Sequence, residues 1–354
     1  MGDISRAFGA PSHYSRRLCF FSRKFCTHTK PFSPRAIMSG TQIGWVGLGS
    51  MGIGMSTNLQ KFLSSSGAPP LLYTNRTLSR GECLKELGAI PVETVSEVAK
   101  KSSIIFSCVS NDAVLQDTTS EIIKSGDITG KIYVDCSTVH PDTSANVSKQ
   151  ITEAGGQFVA APVFGAAAMA AAGKLIFVTA GPESATSAIS LYLNGVMGRS
   201  VIPMGTDVTK SSLLKIAGNI VVVSFMEVLS EAHVFAEKTG LGSPVLENMI
   251  SDMFGPVLES YSKRITSGAY APPPDGKAGF DVALAMKDLR HALNCAKDAG
   301  TRLETSEAAL RHMEAARAFE AERPLDSSSM YGAVRREAGL EFYSDACKER
   351  DANK

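Results

Sequence analysis

Lys215 and Asn219 stand four residues apart in a stretch of helical periodicity, 211–239, and so share one helix face. Gly218 beside them carries no side chain, which lets another backbone or a ligand come close. The surrounding residues are strongly apolar, and burial of that kind makes an ammonium group easier to deprotonate. Such a lysine can take a proton from a hydroxyl or return one to a carbonyl, the proton half of a hydride transfer. Taken alone, a helix lysine is more often a solvated or snorkelling side chain. The chemistry therefore depends on whether the chain also carries the means to hold a hydride donor.

It does so near the beginning. Residues 42–48 read as a buried strand and 53–63 as a helix, with Gly47-Leu48-Gly49-Ser50-Met51-Gly52 between them. Gly47 permits the tight turn, Gly49 lets the backbone approach a pyrophosphate, and Gly52 lets helix and strand pack closely. The helix start then offers free amides and the positive end of its dipole to phosphates. A second strand, 71–73, ends at Thr74-Asn75-Arg76-Thr77. NAD-specific folds place an acidic side chain near this point to bond the ribose 2′-hydroxyl. Here Asn75 and Arg76 stand instead, and a guanidinium suits a 2′-phosphate. The prediction is NADP, with NAD the weaker alternative; the competing reading makes Arg76 an ordinary surface arginine.

These groups need elements to position them. Further short apolar runs at 103–109, 131–135, 157–160 and 175–179 alternate with helical patterns, which predicts a Rossmann-type doubly wound parallel sheet. Ligands in such sheets lie at the carboxyl ends of strands. Those ends carry Val109-Ser110-Asn111, Ser137-Thr138 and Pro162-Val163-Phe164-Gly165. After Met204 the pattern becomes helical, with helices expected over 211–239, 244–265, 281–299 and 306–322. The fold class is thus α/β followed by an all-α C-terminal domain. The expected limits are 41–204 for the dinucleotide domain, 205–345 for the helical substrate and dimerisation domain, and 346–354 for a frayed tail.

Composition narrows the function classes. In 354 residues, 44% are apolar and 20% charged, ordinary values for a globular chain, and the net charge of +1 argues against a nucleic-acid surface. The 7 cysteines are scattered, with no Cys-x-x-Cys pair, and no His-Glu-x-x-His helix occurs, so neither a disulfide framework nor a metal site is expected. No membrane span is expected either: the longest apolar candidate, 220–229, contains Ser224 and Glu227. Residues 1–40 are basic, rich in serine and contain Asp3 as their one acid, the composition of a mitochondrial transit peptide. The bland reading is an unstructured tail that nothing imports, which leaves the protein cytoplasmic; a start-site artefact, with Met38 as initiator, stands level with import.

Together the motifs resemble the β-hydroxyacid dehydrogenase family, which includes 3-hydroxyisobutyrate dehydrogenase, tartronate semialdehyde reductase, glyoxylate/succinic semialdehyde reductases and 6-phosphogluconate dehydrogenase. The resemblance spans about 42–335. It runs through the glycine-rich opening 43–55 with Asn58-Leu59, then Asp135-Cys-Ser-Thr138 with Pro141, then Ala161-Pro-Val-Phe-Gly165. It continues through Lys215-Ile-Ala-Gly-Asn219 to Phe280 with Lys287-Asp288. The resemblance implies that Lys215 is the general acid/base and that Asn219 orients the substrate hydroxyl. Thr138 would sit near nicotinamide and substrate, Val109 and Ser110 along the nicotinamide half, and Lys287 would reach the cofactor, with Phe280 and Asp288 at the cleft. Ser137, Phe164, Gly165 and Ala166 complete the expected substrate site. A homodimer or homotetramer built through the helical domain is also implied, acting on a small hydroxy acid or semialdehyde.

Two departures stand out. Relatives often carry Ser-Gly-Gly after Ala-Pro-Val; here the residues are Phe164-Gly165-Ala166, followed by an alanine-rich run to Ala172. Gly218 stands where many relatives have asparagine. The first departure predicts a pocket more apolar than that of a sugar-acid or tartronate enzyme; the second removes one possible hydrogen bond from the site. Phe164 and the alanine run also raise an alternative, an NADPH-dependent imine or ketone reductase of the same fold, although imine-reducing relatives usually lack this lysine. A non-catalytic cofactor-binding relative is the third reading, and such relatives typically lose it too.

Overall fold

The computed structural model describes residues 40–353. Of the basic leader 1–40, residues 1–39, with the alternative start at Met38, lie outside the described residues.

The first half alternates strand and helix. Its elements are β1 (Ile43–Val46), α1 (Ser50–Ser66), β2 (Leu72–Thr74), α2 (Glu82–Glu86), β3 (Ile90–Pro91), α3 (Val95–Lys101), β4 (Ile104–Ser107), α4 (Asp112–Lys124), β5 (Ile132–Asp135), α5 (Pro141–Glu153) and β6 (Gln157–Ala160). Strand order is β3-β2-β1-β4-β5-β6, and every pairing is parallel. The central strands β1, β4 and β5 are buried along their whole length, as a sheet covered by helices on both faces requires. Trp45 of β1 stacks on its register partner Phe106 of β4 at 5.7 Å between centroids. Because the strands are parallel, the turns after β1, β4 and β5 emerge at one edge of the sheet.

The apolar run 175–179 does form a strand, but not in this sheet. It is β8 (Leu175–Thr179), the centre of a separate three-stranded sheet. It pairs antiparallel with β7 (Val163–Phe164) and parallel with β9 (Gly198–Pro203), with α6 (Ala167–Ala171) and α7 (Glu183–Leu193) between. Strand length and composition carry no information about which sheet a strand joins.

The second half contains α8 (Val208–Thr239), α9 (Ser243–Thr266), α10 (Val282–Asp298), α11 (Glu304–Phe319), α12 (Met330–Glu337) and α13 (Asp345–Ala352). Asp207 caps α8, accepting from the Thr209 amide at 3.0 Å, and Gly240 ends it with φ 76°. At 32 residues α8 is long and apolar enough to cross a bilayer by length and composition, further than the run 220–229 suggests. In the structure it is the spine of the helical half, with Asn219, Glu227 and His233 buried along it. Glu227 bonds His312 of α11 at 2.6 Å, and His233 bonds Ser262 of α9 at 2.8 Å. The helix expected over 244–265 is broken at Gly255 (φ 75°, ψ −172°), directly before Pro256, whose ring disfavours helical geometry in the preceding residue.

The C-terminal segment is not a frayed tail. Residues 345–352 form α13, and Cys347 is fully buried against Gly268. Arg350 donates to the Gly268 and Ala271 carbonyls at 2.8 Å each. A short polar helix shows little periodicity of its own; this one is held by partners far away in sequence.

The two halves meet where the start of α8 lies on the sheet domain. Ser211 Oγ donates to the Val178 carbonyl at 2.6 Å, and Ser212 Oγ meets Ser144 Oγ of α5 at 2.8 Å. A second joint connects α4 and α5 to α10. Asp112 contacts His291 Nε2 at 2.9 Å and accepts from the His140 amide and the Thr143 hydroxyl, both at 2.8 Å. Burial alone would raise the Asp112 carboxyl, but these hydrogen bonds outweigh it and hold the group well below the usual carboxylate range.

Candidate active site

The glycine-rich turn has the geometry its sequence predicts. Gly47 has φ 95°, and a Cβ there would stand 2.3 Å from the Cys108 carbonyl oxygen. A Cβ on Gly52 would stand 2.2 Å from the Gly47 carbonyl oxygen. Gly49, by contrast, faces open space. One glycine makes the turn, one packs helix on strand, and one leaves room in front of the amides at the start of α1. That arrangement fits a dinucleotide pyrophosphate.

Asn75 clips the turn to the end of β2, accepting from the Leu48 amide at 2.8 Å and donating to the Thr77 carbonyl at 2.9 Å. Arg76 and Thr77 are exposed beside it, and among the described residues Arg76 makes no ion pair. Its guanidinium is therefore available to an anion.

A cavity of about 300 Å³ opens between the halves. Of the residues singled out from sequence, Ser50, Met51, Val109, Ser110, Ser137, Thr138, Phe164, Gly165, Ala166, Lys215, Asn219, Phe280, Lys287 and Asp288 line it. Gly47, Leu48, Gly49, Gly52, Asn75, Arg76 and Thr77 lie outside it along the turn and the β2 end.

At the centre is a chain of polar groups. Lys215 Nζ donates to Asn219 Oδ1 at 2.9 Å, and Asn219 Nδ2 donates to the buried Asp288 Oδ2 at 2.6 Å. Asp288 Oδ1 in turn faces Lys287 Nζ at 2.9 Å. Lys287 also donates to the Thr138 carbonyl, so this lysine bridges the two halves. Burial pushes the Lys215 amine down to about 8; Asp288 pulls it up and Lys287 pushes it down. The Phe164 ring covers the amine, with Nζ 4.7 Å from its centroid.

Beneath the cleft floor, Asp135 is buried and accepts from Ser107 at 2.6 Å and Ser137 at 2.7 Å. Burial raises its carboxyl to about 6, against those hydrogen bonds. Ser137 Oγ also accepts from the Val109 amide at 2.8 Å. Its hydroxyl is therefore engaged in fixing the loops after β4 and β5.

The alanine run does not supply the apolar wall. Ala166 alone of 166–172 lines the cavity. The rest forms α6 and packs on α1, where a Cβ at Gly54 would stand 2.7 Å from the Ala171 nitrogen and Asn58 donates to the Ala170 carbonyl at 2.8 Å. Small side chains there serve close helix packing. The apolar surface comes instead from Val163, Phe164, Val222, Met226, Tyr261 and Leu284. Most of these, together with Arg264, have no local signature and were not legible in sequence. Val222 and Met226 could have been found by continuing the Lys215/Asn219 face along the helix.

With this geometry the family is decided by comparison. Residues 42–205 match the model of the NAD binding domain of 6-phosphogluconate dehydrogenase, and 210–334 match that of the NAD-binding domain of NADP-dependent 3-hydroxyisobutyrate dehydrogenase. The chain belongs to the 3-hydroxyisobutyrate dehydrogenase-like β-hydroxyacid dehydrogenase family. It is 30% identical to the NADH-dependent oxidoreductase ucdB of Aspergillus ustus over 295 residues, covering 82% of this chain and 98% of that one. It is 30% identical to glyoxylate/succinic semialdehyde reductase 1 of Arabidopsis thaliana over 301 residues, covering 83% and 98%. The 3-hydroxyisobutyrate dehydrogenase of Salmonella typhimurium shares the fold with TM-score 0.72 at 20% identity, over 84% of this chain and all of that one. This 3-hydroxyisobutyrate dehydrogenase-like protein is accordingly an NAD(P)-dependent oxidoreductase by family and fold, and both are consistent with NADP(H) binding.

Proposed function

We propose that the protein is an NADP-dependent oxidoreductase that interconverts a small β-hydroxy acid or semialdehyde and its redox partner, with Lys215 as general acid/base. The observation carrying this reading is the Lys215 amine, held on Asn219 in the cleft between the halves, with its pKa brought down to about 8. At that value the amine can exist in either protonation state near neutral pH, as a group serving both directions must.

A nicotinamide cofactor held here would supply or accept the hydride. Gly49 and the amides at the start of α1 would hold its pyrophosphate and Arg76 its 2′-phosphate. Thr138, Val109 and Ser110 would border its nicotinamide end. Lys215 Nζ gives its proton to the carbonyl oxygen during reduction and takes it back from the hydroxyl during oxidation. Asn219 fixes the amine through Oδ1 and is itself fixed by Asp288, so the proton is delivered from a set position. Burial favours the neutral form of the amine, while the face of the Phe164 ring over it favours the ammonium, so both states stay within reach.

The exposed apolar side chains of α8 and α9, among them Val221, Val228, Val245, Met253 and Val257, support a homodimer or homotetramer built through the helical half. The function is tested by NADPH oxidation with a panel of small semialdehydes and 3-oxo acids, comparing wild type with Lys215→Ala. Turnover that depends on Lys215 supports the reading; turnover retained without it removes the mechanism.

A further inference from the structure

The cavity continues well past the amine. Lys215, Asn219, Val222 and Met226 all line it, and they are spaced i, i+4, i+7 and i+11 on the unbroken helix α8. They therefore form one stripe, running about 16 Å along the axis at about 1.5 Å per residue. The polar groups stand at one end, and the middle is apolar, with Tyr261 and Leu284 facing it from α9 and α10. Near Met226 the cavity reaches Arg264 of α9. Asp326 ties these two together in space: it pairs with Arg264, and its neighbour Ser327 contacts Met226 Sδ at 3.2 Å.

Arg264 is held but not saturated. Its one side-chain hydrogen bond among the described residues is a long one, from Nη1 to Asp326 Oδ1 at 3.4 Å. The Tyr261 ring lies 5.7 Å from its Cζ. Asp326 is itself occupied: it accepts from the Phe280 amide at 2.8 Å, from the Ser328 amide at 3.0 Å, and from the hydroxyls of Ser328 and Ser327 at 2.8 and 3.3 Å. A buried carboxylate so engaged holds the guanidinium, which lines both this cavity and the neighbouring one formed by Ser267, Pro272 and Lys277, and leaves most of its five donors without a partner among the described residues. At the other end, an aromatic ring stands next to the amine where relatives often have a serine hydroxyl for the substrate carboxylate. A guanidinium able to take an anionic group stands beside Met226, at the other end of the stripe.

We propose that Arg264 anchors a carboxylate at the far end of the substrate, so that the preferred substrates are ω-oxo acids and ω-hydroxy acids with an apolar chain lying along Val222 and Met226. This rests on the proposed function for the Lys215 end and refines it: the semialdehyde is a long one, with aldehyde at Lys215 and acid at Arg264.

The test measures binding and turnover separately. The NADPH complex of the full chain, which cannot oxidise an alcohol, is titrated calorimetrically with glycolate, 4-hydroxybutyrate, 6-hydroxyhexanoate and 8-hydroxyoctanoate, and with the methyl ester of each. Affinity is expected to rise along the acid series until the carboxylate reaches Arg264, and the longer acids to bind more tightly than their esters. Arg264→Gln should reduce that acid-over-ester preference about tenfold to a hundredfold, the loss of a charge-assisted hydrogen bond. Arg264→Lys, which keeps the charge, should restore part of it. With the matching ω-oxo acids and NADPH, the loss should appear in KM and not in kcat. An acid-over-ester preference that is missing in wild type, or that survives in Arg264→Gln, overturns the proposal. Binding preference without any turnover would overturn the redox function alone. Lys215-dependent turnover with no Arg264-dependent preference would overturn this inference alone.

Discussion

The Phe164 ring lies directly on the bare backbone of Gly218: a Cβ at Gly218 would stand 2.2 Å from Phe164 Cε1 and 2.4 Å from Cζ. The two departures from the family pattern are therefore one change in space. A ring replaces a hydroxyl on the loop, and the helix gives up its side chain to admit the ring.

That pairing predicts strong coupling. Gly218→Ala in the wild-type background should destabilise by about 1–3 kcal/mol, the usual cost of overpacking. In a Phe164→Ala background the clash is gone, and the same change should be neutral or stabilising by up to about 1 kcal/mol, since alanine is the better helix former. Urea unfolding of the four proteins in a double-mutant cycle measures the coupling. Additive effects would mean that the ring moves aside freely.

Lys215→Ala should retain NADPH affinity, read by fluorescence titration, and lose about 10²–10⁴-fold in kcat. The pH dependence has opposite signs in the two directions. Reduction needs the protonated amine, so kcat should fall as pH rises through about 8. Oxidation needs the free amine, so the rate should rise through the same region. A flat profile in both directions would leave the amine without a role in proton transfer.

Arg76→Glu should raise KM for NADPH by about 10–100-fold, corresponding to the loss of a charge-assisted contact with the 2′-phosphate. It should leave KM for NADH unchanged or improved, since a carboxylate there can accept from the ribose hydroxyl. Initial-rate kinetics with both nucleotides decide the matter; equal effects on the two would show that Arg76 does not discriminate between them.

The Asp112 joint predicts an acid-sensitive contribution to stability. Asp112→Asn should cost about 1–3 kcal/mol at neutral pH, as a hydrogen-bonded charge is removed. Because the folded carboxyl is depressed, the wild-type advantage is complete above the unfolded value of about 4 and is lost as pH falls below it. Chemical unfolding at pH 7 and in mild acid compares the two proteins. A difference that grows in acid would have the wrong sign for this assignment.

Much of the site could be read along the chain because its signals are local. The glycine turn is a contiguous motif between a strand and a helix, and Lys215 with Asn219 is an i, i+4 pair. What escaped was set by distant contacts. Arg264 looks like any helix arginine until Asp326, far along the chain, is placed against it. The strand 175–179 gave no sign of joining β7 and β9 instead of the main sheet. The alanine run suggested pocket wall, yet its small side chains serve packing between α6 and α1. Cys347 and Arg350 were assigned to a tail because a short helix draws its order from neighbours that periodicity does not reveal.

The opening turns of α8 are pinned to the sheet domain through Ser211 and Ser212, while its remaining length carries the other helices. The helical half is fastened again at α10, where His291 meets Asp112 and Lys287 reaches the Thr138 carbonyl. The amine therefore sits inside a frame clamped at two places, and its distance from the glycine turn is set by the fold before any reactant arrives.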